Sequence, residues 1–491
     1  MSLEKILLEW EPVIGLEVHA QLNTRTKLFS RAQNRFGDEP NTHLSIVCTG
    51  QPGALPLLNR AAVRKGIQLG LALGSNIQLT STFDRKSYFY PDSPRNFQIT
   101  QYYAPLLKGG SITAWVKGER RQYAITRAHL EDDAGMLKHF TQFAGVDYNR
   151  AGVPLIEIVS EPCLHSAEDA VAYLSSLKAL LQYTQVSDAN MEQGHLRVDC
   201  NISVRKRGEK GLRPRIEIKN MNSFGNLQLA VESEIVRQVH LYEKNPQAPP
   251  EQLIQPGTYR FDLESRQVLL MRRKEAAEDY RYCPEPDLPP LVLNEAEIEE
   301  LRKSLPELPH MRVARYLELG IPFDLAWFVV HEKSLCDYFE RGLSASPQPR
   351  SYANWVLVEF LGRFKDRDVP LIESGVQPGH IAELTQLIAD GTITGKIAKA
   401  VADEMVKQPG TAPGKIVADS PSFQPMQDAG SLPQIVDQVL AQHGQSVIDY
   451  HAGKQRAFGF LVGQVMAATQ GKAPPAAVNQ LLRQALDAPN K

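Results

Sequence analysis

Four stretches in the first half of the chain alternate apolar and polar residues: Leu16–Leu22, Arg127–Glu131, Leu196–Arg205 and Arg215–Lys219. A period of two predicts strands with one face on a core. The polar faces carry Glu17, His19 and Gln21; Arg127, His129 and Glu131; Arg197, Asp199, Asn201, Ser203 and Arg205; and Arg215, Glu217 and Lys219. An ordinary solvent face tolerates Lys, Glu, Thr and Ser in any mixture. These faces instead repeat carboxylates beside His, Asn or Arg, the donor types of a metal and phosphate site. They predict an antiparallel sheet whose open face is a polar basin.

Helical spacing predicts helices over Leu58–Leu73, after the N-cap signature Ser166-Ala167-Glu168-Asp169, and over Asn226–Lys244. The stripe of the second is Ala170, Leu174, Leu177 and Leu181. Pro284–Pro290 is hostile to helix and marks a boundary. Beyond it alternation vanishes, and helices are predicted over Glu295–Leu305, Met311–Leu319, Pro322–Cys336, Tyr352–Phe364 and His380–Val406. A second boundary lies in the Pro/Gly/Ser-rich stretch Gln408–Ser431. The expected class is α+β: an antiparallel-sheet domain over 1–294, an all-α helical domain over 295–410 and an α-helical tail over 411–491. In the tail, Phe458, Leu461, Val462, Val465 and Met466 share a face, and Gly459 and Gly463 would admit a close helix. Lys454, Arg456 and Lys472 hint at contact with a phosphate backbone.

At 491 residues the chain is long for one core, and two to four domains are expected. A net charge of -2 carries no overall basic signature, so nucleic-acid binding would rest on local patches. No apolar run reaches the ~18 residues of a membrane span. Glu4, Glu9 and Glu11 make the start unlike a leader peptide, and the cytoplasm is the expected compartment. The five cysteines form no CxxC pair, which argues against a disulfide framework or zinc finger.

The strongest constellation joins Glu17 and His19, His129 and Glu131, and the apolar run Val153–Val159 interrupted by Glu157. A carboxylate between two isoleucines pairs with a basic side chain or serves a metal. Hard oxygen donors with one imidazole point to Mg²⁺ or Mn²⁺. Asp132 and Asp133 belong either to this site or to a turn closed by Gly135. Lys86 lies in an aromatic, basic and amide-rich segment, Phe83–Gln101, suited to a substrate or nucleotide wall, with a charged surface loop as the alternative. No GxxxxGK[ST] and no GxGxxG after a strand occurs; Gly391–Lys396 misses the spacing and the hydroxyl. No serine-rich amidase run or Cys/His glutaminase pair is present either.

Read together, Val13–His19, Phe83–Asp92, His129–Gly135, Pro154–Pro162, Arg197–Ser203, Glu217–Ser223 and Gly459–Met466 closely resemble the tRNA-dependent amidotransferase B subunits, which act on Asp-tRNA(Asn) and Glu-tRNA(Gln). The resemblance runs nearly end to end. It implies a cradle-shaped catalytic domain with a glutamine-synthetase-like site, a helical domain and a tRNA-contacting tail. The implied reaction is ATP-dependent phosphorylation of the side-chain carboxylate of Glu-tRNA(Gln) or Asp-tRNA(Asn), followed by amidation with ammonia. That ammonia would come from glutamine through a partner amidase subunit, with a small third subunit completing a heterotrimer.

By position, His19, Glu131 and Glu157, with Glu17 close enough to join, match the family's Mg²⁺-binding residues, and the resemblance implies a catalytic set of Glu17, Lys86, Glu131 and Glu157. Lys86 matches a lysine at the ammonia path or acceptor site. Arg197, Asp199, Asn201, Lys219 and Asn220 would hold ATP or the tRNA end. The chain departs from the family at Pro256-Gly257-Thr258-Tyr259, where an acid and an arginine are usual, and at Cys283, where an aromatic is usual. Asp132 stands for a commoner glutamate. Two alternatives are a stand-alone ATP-dependent amide ligase and a non-catalytic tRNA-binding scaffold.

Overall fold

The computed structural model describes residues 2–273, 280–423, 431–469, 471–473 and 475–487. It divides into two compact units, Met1–Arg312 and Val313–Lys491.

In the first unit the alternating stretches form strands. These are β1 (Trp10–Gln21), β2 (Glu119–Asp132), β3 (Pro154–Ser160), β4 (Leu196–Lys206), β5 (Ile216–Met221), β6 (Gly257–Asp262) and β7 (Gln267–Arg273). They join in the order β7-β6-β5-β4-β1-β3-β2, and short strands Leu107–Lys108, Asn76–Ile77 and Ser111–Val116 extend the sheet beyond β2. The expectation of an antiparallel sheet needs one correction, because β5 and β6 run parallel. A helix, Phe224–Lys244, lies between them in sequence, and such a crossover returns the chain in the same direction where a hairpin would reverse it. The sheet is mixed.

One face of this sheet is the core. Leu16, Val18 and Ala20 of β1, Ala128 and Leu130 of β2, Ile156 and Ile158 of β3 and Val198, Cys200 and Ile202 of β4 are buried. Helices α1 (Arg60–Leu73), α2 (Ala167–Tyr183) and α3 (Phe224–Lys244) share that core. Each starts at a side-chain cap: Asn59 accepts from the Ala61 N–H, Ser166 from Asp169 and Ser223 from Asn226. Such a cap contributes about 1 kcal/mol, which is why α1 and α3 begin there and not at Leu58 or Asn226. Gly66 lets α1 approach closely, since a Cβ there would lie 2.6 Å from Leu106 Cδ2.

The second unit is mostly helical, as expected, but two predicted helices are broken. Pro322–Cys336 divides into Phe323–His331 and part of Lys333–Leu343, because Glu332 leaves helical geometry at φ -112 and ψ 80. His380–Val406 divides into Pro378–Ala389 and Gly395–Lys407. Gly391, with φ +74, stops the first, and the Thr394 hydroxyl caps the second at the Ile397 N–H. The Gly391–Lys396 segment is thus a turn, Gly391–Thr394, running into the first residues of the second helix. In the tail, Leu461 and Val465 are buried with Leu432, Val436, Val439, Val478, Leu482 and Leu486. Gly459 and Gly463 face open space, so they admit no close helix; contact falls on the neighbouring Leu461/Val465 stripe. No described helix is long and apolar enough to cross a membrane.

Candidate active site

Strand register assembles the site. The β1–β3 pairing sets His19 opposite Glu157, and β3–β2 sets Glu157 opposite His129. The β1–β4 pairing sets His19 opposite Arg197 and Glu17 opposite Asp199, while β4–β5 sets Asn201 opposite Glu217. Neighbouring strands lie about 4.8 Å apart, and residues two apart on a strand share a face. His129, Glu157, His19 and Arg197 therefore form one row across four strands, with Glu131 one step along β2.

His19 Nε2 lies 3.3 Å from Glu157 Oε2 and 3.7 Å from Glu131 Oε1. His129 Nε2 lies 3.6 Å from Glu157 Oε2 and 3.7 Å from Glu131 Oε2. Thr100 donates to Glu131 Oε2 at 3.2 Å. Burial alone would raise the Glu157 carboxyl and lower the His19 imidazole, and in both cases charge wins. His129, His19 and Lys86 hold Glu157 well below the usual carboxylate range. Glu157, Glu131 and Asp199 push His19 up to about 9.

Ligand atoms of His19, Glu131 and Glu157 all lie within 4.8 Å of one another. One imidazole and two carboxylates at this spacing fit a divalent cation such as Mg²⁺ or Mn²⁺. The buried Nδ1 of His129, Nε of Arg127, Nε of Arg197 and Oδ1 of Asn201 have no hydrogen-bond partner among the described residues. Orphaned polar atoms gathered on one sheet face mark a surface built for a ligand.

Glu17 stands apart from the three-residue cluster. Its Oε1 accepts from Asn201 Nδ2 at 2.8 Å, and burial with the charges of Glu157 and Glu217 raises its pKa. Lys219 Nζ bridges Asp199 Oδ2 at 2.6 Å and Glu217 Oε1 at 2.9 Å. Asn220 lies on β5, but its side chain is outside the described residues. Lys86 comes from a separate small sheet formed by Asp84–Ser87, Phe97–Thr100 and Cys283–Pro284. Its Nζ sits 4.8 Å over the Tyr280 ring. Burial would lower its pKa, yet Glu131 and Glu157 hold it above the ordinary lysine value.

Asp132 and Asp133 are anchors of the basin. Asp132 is paired with Arg95 and accepts from the Ile99 N–H at 3.0 Å. Asp133 Oδ2 takes Arg197 Nη2 at 2.6 Å and Gln21 Nε2 at 3.2 Å. At the unusual Thr258, the hydroxyl donates to Glu217 Oε2 at 3.3 Å, so this departure leaves a polar contact in the basin. Cys283 is exposed and pairs in register with Arg85.

Two cavities meet at the cluster. The larger, about 340 Å³, is lined by Lys86, Arg95, Phe97, Arg197, Asp199 and Lys219, among others. The smaller, about 250 Å³, is lined by Glu17, Arg127, His129, Glu157, Glu217 and Tyr102, among others. His19, Lys86, Glu131, Lys219 and Tyr280 line both. Arg95 and Thr100 fall within the expected wall segment Phe83–Gln101, whereas sequence reasoning missed Tyr102 and the Tyr280/Tyr282 pair. The Tyr280-Arg281-Tyr282 alternation beside the proline-rich boundary was an available signal for the last two.

A model of the GatB/GatE catalytic domain matches residues 12–299, and one of the GatB domain matches residues 337–486. The chain is also similar along nearly its whole length to known aspartyl/glutamyl-tRNA(Asn/Gln) amidotransferase B subunits. It is 57% identical over 477 residues to that of Protochlamydia amoebophila (strain UWE25), covering 97% of each chain. It is 54% identical over 480 residues to that of Chlamydia caviae, covering 98% of this chain and 99% of the relative. For that of Chlamydia pneumoniae the figures are 53% over 480 residues, and 98% of each.

Proposed function

The chain belongs to the family of tRNA-dependent amidotransferase B subunits, and from that premise we propose how its basin works. Its family converts misacylated Asp- and Glu-tRNA to Asn- and Gln-tRNA within a glutamine-dependent ligase complex. Our reading is that ATP phosphorylates the side-chain carboxylate of the aminoacyl group and ammonia from a partner amidase subunit displaces phosphate. A small third subunit completes the complex.

The observation that carries this reading is the His19–Glu131–Glu157 cluster where two cavities meet, with His19 and Glu131 lining both and Glu157 the smaller. Two substrates that must exchange a phosphoryl group need adjacent pockets meeting at a charge-stabilising centre. His19, Glu131 and Glu157 would hold Mg²⁺, with Glu17 in reserve; the ion would offset charge on the transferring phosphoryl oxygens. Lys86 and Lys219 reach both cavities and supply fixed positive charge at the junction. Arg197, Asp199, Asn201 and Asn220 complete the proposed nucleotide and tRNA-end contacts. The division into a cradle over 1–294, a helical domain over 295–410 and a tRNA-contacting tail over 411–491 belongs to the same proposal.

The test is ATP hydrolysis by the chain co-expressed with its amidase partner, with Mg²⁺, with and without misacylated tRNA(Gln) or tRNA(Asn). The proposal expects hydrolysis that requires misacylated tRNA and yields amidated tRNA when glutamine is added. Stimulation by a free carboxylic acid plus ammonia would support the stand-alone ligase. Binding of tRNA without turnover would support the scaffold.

A further inference from the structure

Among the cations of the basin, Arg127 is conspicuous for what it lacks. Arg95 is paired with Asp132, Arg197 with Asp133, and Lys219 with Asp199 and Glu217. Arg127 makes no side-chain hydrogen bond or ion pair among the described residues, and its Nε is buried without a partner. Its guanidinium lies 5.8 Å from the Tyr102 ring centroid, and Tyr102 stacks on Tyr282 with centroids 4.0 Å apart. An unsatisfied buried donor costs ~1–3 kcal/mol, more when charged, so such a group persists where a ligand completes it.

Register explains why none of the described strand neighbours satisfies it. Arg127 on β2 pairs with Val159 on β3, which pairs with Glu17 on β1. An apolar side chain thus separates a free guanidinium from a carboxylate, and all three line the 250 Å³ cavity. Glu217 lines it too, so the cavity has an acidic side, a basic side and an aromatic wall. A zwitterionic group with carboxylate and ammonium a few carbons apart matches every side.

Resting on the reading given under Proposed function, we propose that the 250 Å³ cavity receives the aminoacyl group, with Arg127 binding the side-chain carboxylate that is to be phosphorylated. The α-ammonium then faces Glu17, Glu217 being already paired with Lys219, and the methylenes lie against Val159 and Tyr102. The nucleotide takes the larger cavity, on the other side of His19 and Glu131. Arg127 is in this assignment the residue that distinguishes charged from uncharged tRNA, because only the charged form carries the carboxylate. Bidentate geometry makes arginine, and not lysine, suited to that role.

The experiment compares the wild-type complex with Arg127→Gln and Arg127→Lys, measuring KM for misacylated tRNA, KM for ATP, and Kd for misacylated and uncharged tRNA. The proposal expects the tRNA KM to rise about tenfold or more in both variants, from the loss of one charged hydrogen-bond pair. The ATP KM and the Kd for uncharged tRNA should hold within about twofold. An Arg127→Ala complex should regain turnover with added guanidinium chloride, which a folding defect would not permit. A raised ATP KM would assign Arg127 to the nucleotide and overturn the proposal. So would equal weakening for charged and uncharged tRNA, or unchanged constants throughout. A wild-type complex that amidates no tRNA would instead count against the functional reading itself.

Discussion

Glu157 faces His19 across the β1–β3 pairing and His129 across the β3–β2 pairing, with its Oε2 3.3 Å from one imidazole and 3.6 Å from the other. A carboxylate on the central strand is thereby shared by both neighbours, and the negative centre of the basin depends on it. Glu157→Gln keeps the shape and removes the charge. Loss of an outer-shell partner already costs about 10–100-fold in metal affinity or activity, so loss of a proposed inner ligand should cost at least about 100-fold in ATP turnover. Binding of tRNA should survive. Parallel loss of both activities, measured by turnover and filter binding, would mean Glu157 is structural.

His19 sets the pH dependence. Burial would lower its pKa, but the hydrogen bond and charge of Glu157 and the charges of Glu131 and Asp199 raise it to about 9. The folded value lies above the unfolded value of about 6.5. The stability from this ion pair is therefore full below about 6.5 and disappears as pH rises through about 9 in the metal-free chain. A metal takes the neutral imidazole, so its binding at about pH 7.5 should expel close to one proton and strengthen as pH rises. Calorimetric titration with Mn²⁺ in buffers of different ionisation enthalpy reads that proton. No release would remove His19 from the ligand set.

These groups were legible in the sequence to different depths. Period-two alternation alone put Glu17, His19, His129, Glu131, Asp199 and Lys219 on polar faces, because each strand's pleat is a local property. Glu157 stood out because it breaks an apolar run. Which face meets which was not legible. The row His129–Glu157–His19–Arg197 depends on a strand order of β2-β3-β1-β4, in which β1 pairs on both sides with strands more than 100 residues away. The same non-local pairing decides that Asp132 and Asp133 meet Arg95 and Arg197 and not solvent, and that β6 returns parallel to β5. Helix breaks at Glu332 and Gly391 escaped because apolar spacing continues across them.

Arg95 and Asp132 offer a stability test beside the site. Their side chains are 9% and 3% exposed. Removing one partner leaves the other charge buried and uncompensated, which costs about 3–5 kcal/mol. Arg95→Met should lower unfolding free energy by about 3 kcal/mol, and adding Asp132→Asn should recover part of it. Burial already raises the Asp132 carboxyl despite Arg95. Without Arg95 it rises further, so the defect should shrink as pH falls and the carboxyl is protonated. Urea denaturation at about pH 5 and about pH 8 measures both effects; equal losses would sink this account.

Gly342 controls packing in the second unit. A Cβ there would clash with the Tyr352 hydroxyl and lie 2.6 Å from the Pro378 carbonyl. Tyr352 is itself held, donating to the Phe339 carbonyl at 3.1 Å. Backbone cannot yield cheaply, so Gly342→Ala should destabilise this unit by about 1–3 kcal/mol. A thermal scan should show the lowered transition, and Mn²⁺ binding by the first unit should be unchanged. An unshifted transition would contradict the packing argument.

The tail supplies the last prediction. Its core is drawn from Leu432 to Leu486 alone, so it has the apolar interior of a separable module. The Thr394 hydroxyl, which donates to the Gly471 carbonyl at 2.6 Å, ties it to the preceding helices and would return to water on its removal. Lys454 is paired with Asp449, whereas Arg456 and Lys472 form no ion pair among the described residues. Those two cations are free to neutralise phosphates, and each lost contact lowers the salt slope of binding by about one. Deleting Ser431–Lys491 should therefore weaken tRNA binding and flatten its dependence on salt, while Mn²⁺ binding at the basin persists. Reversing only Arg456 and Lys472 to glutamate should reproduce the binding loss in a folded tail. Unchanged tRNA affinity in both variants would place tRNA recognition elsewhere.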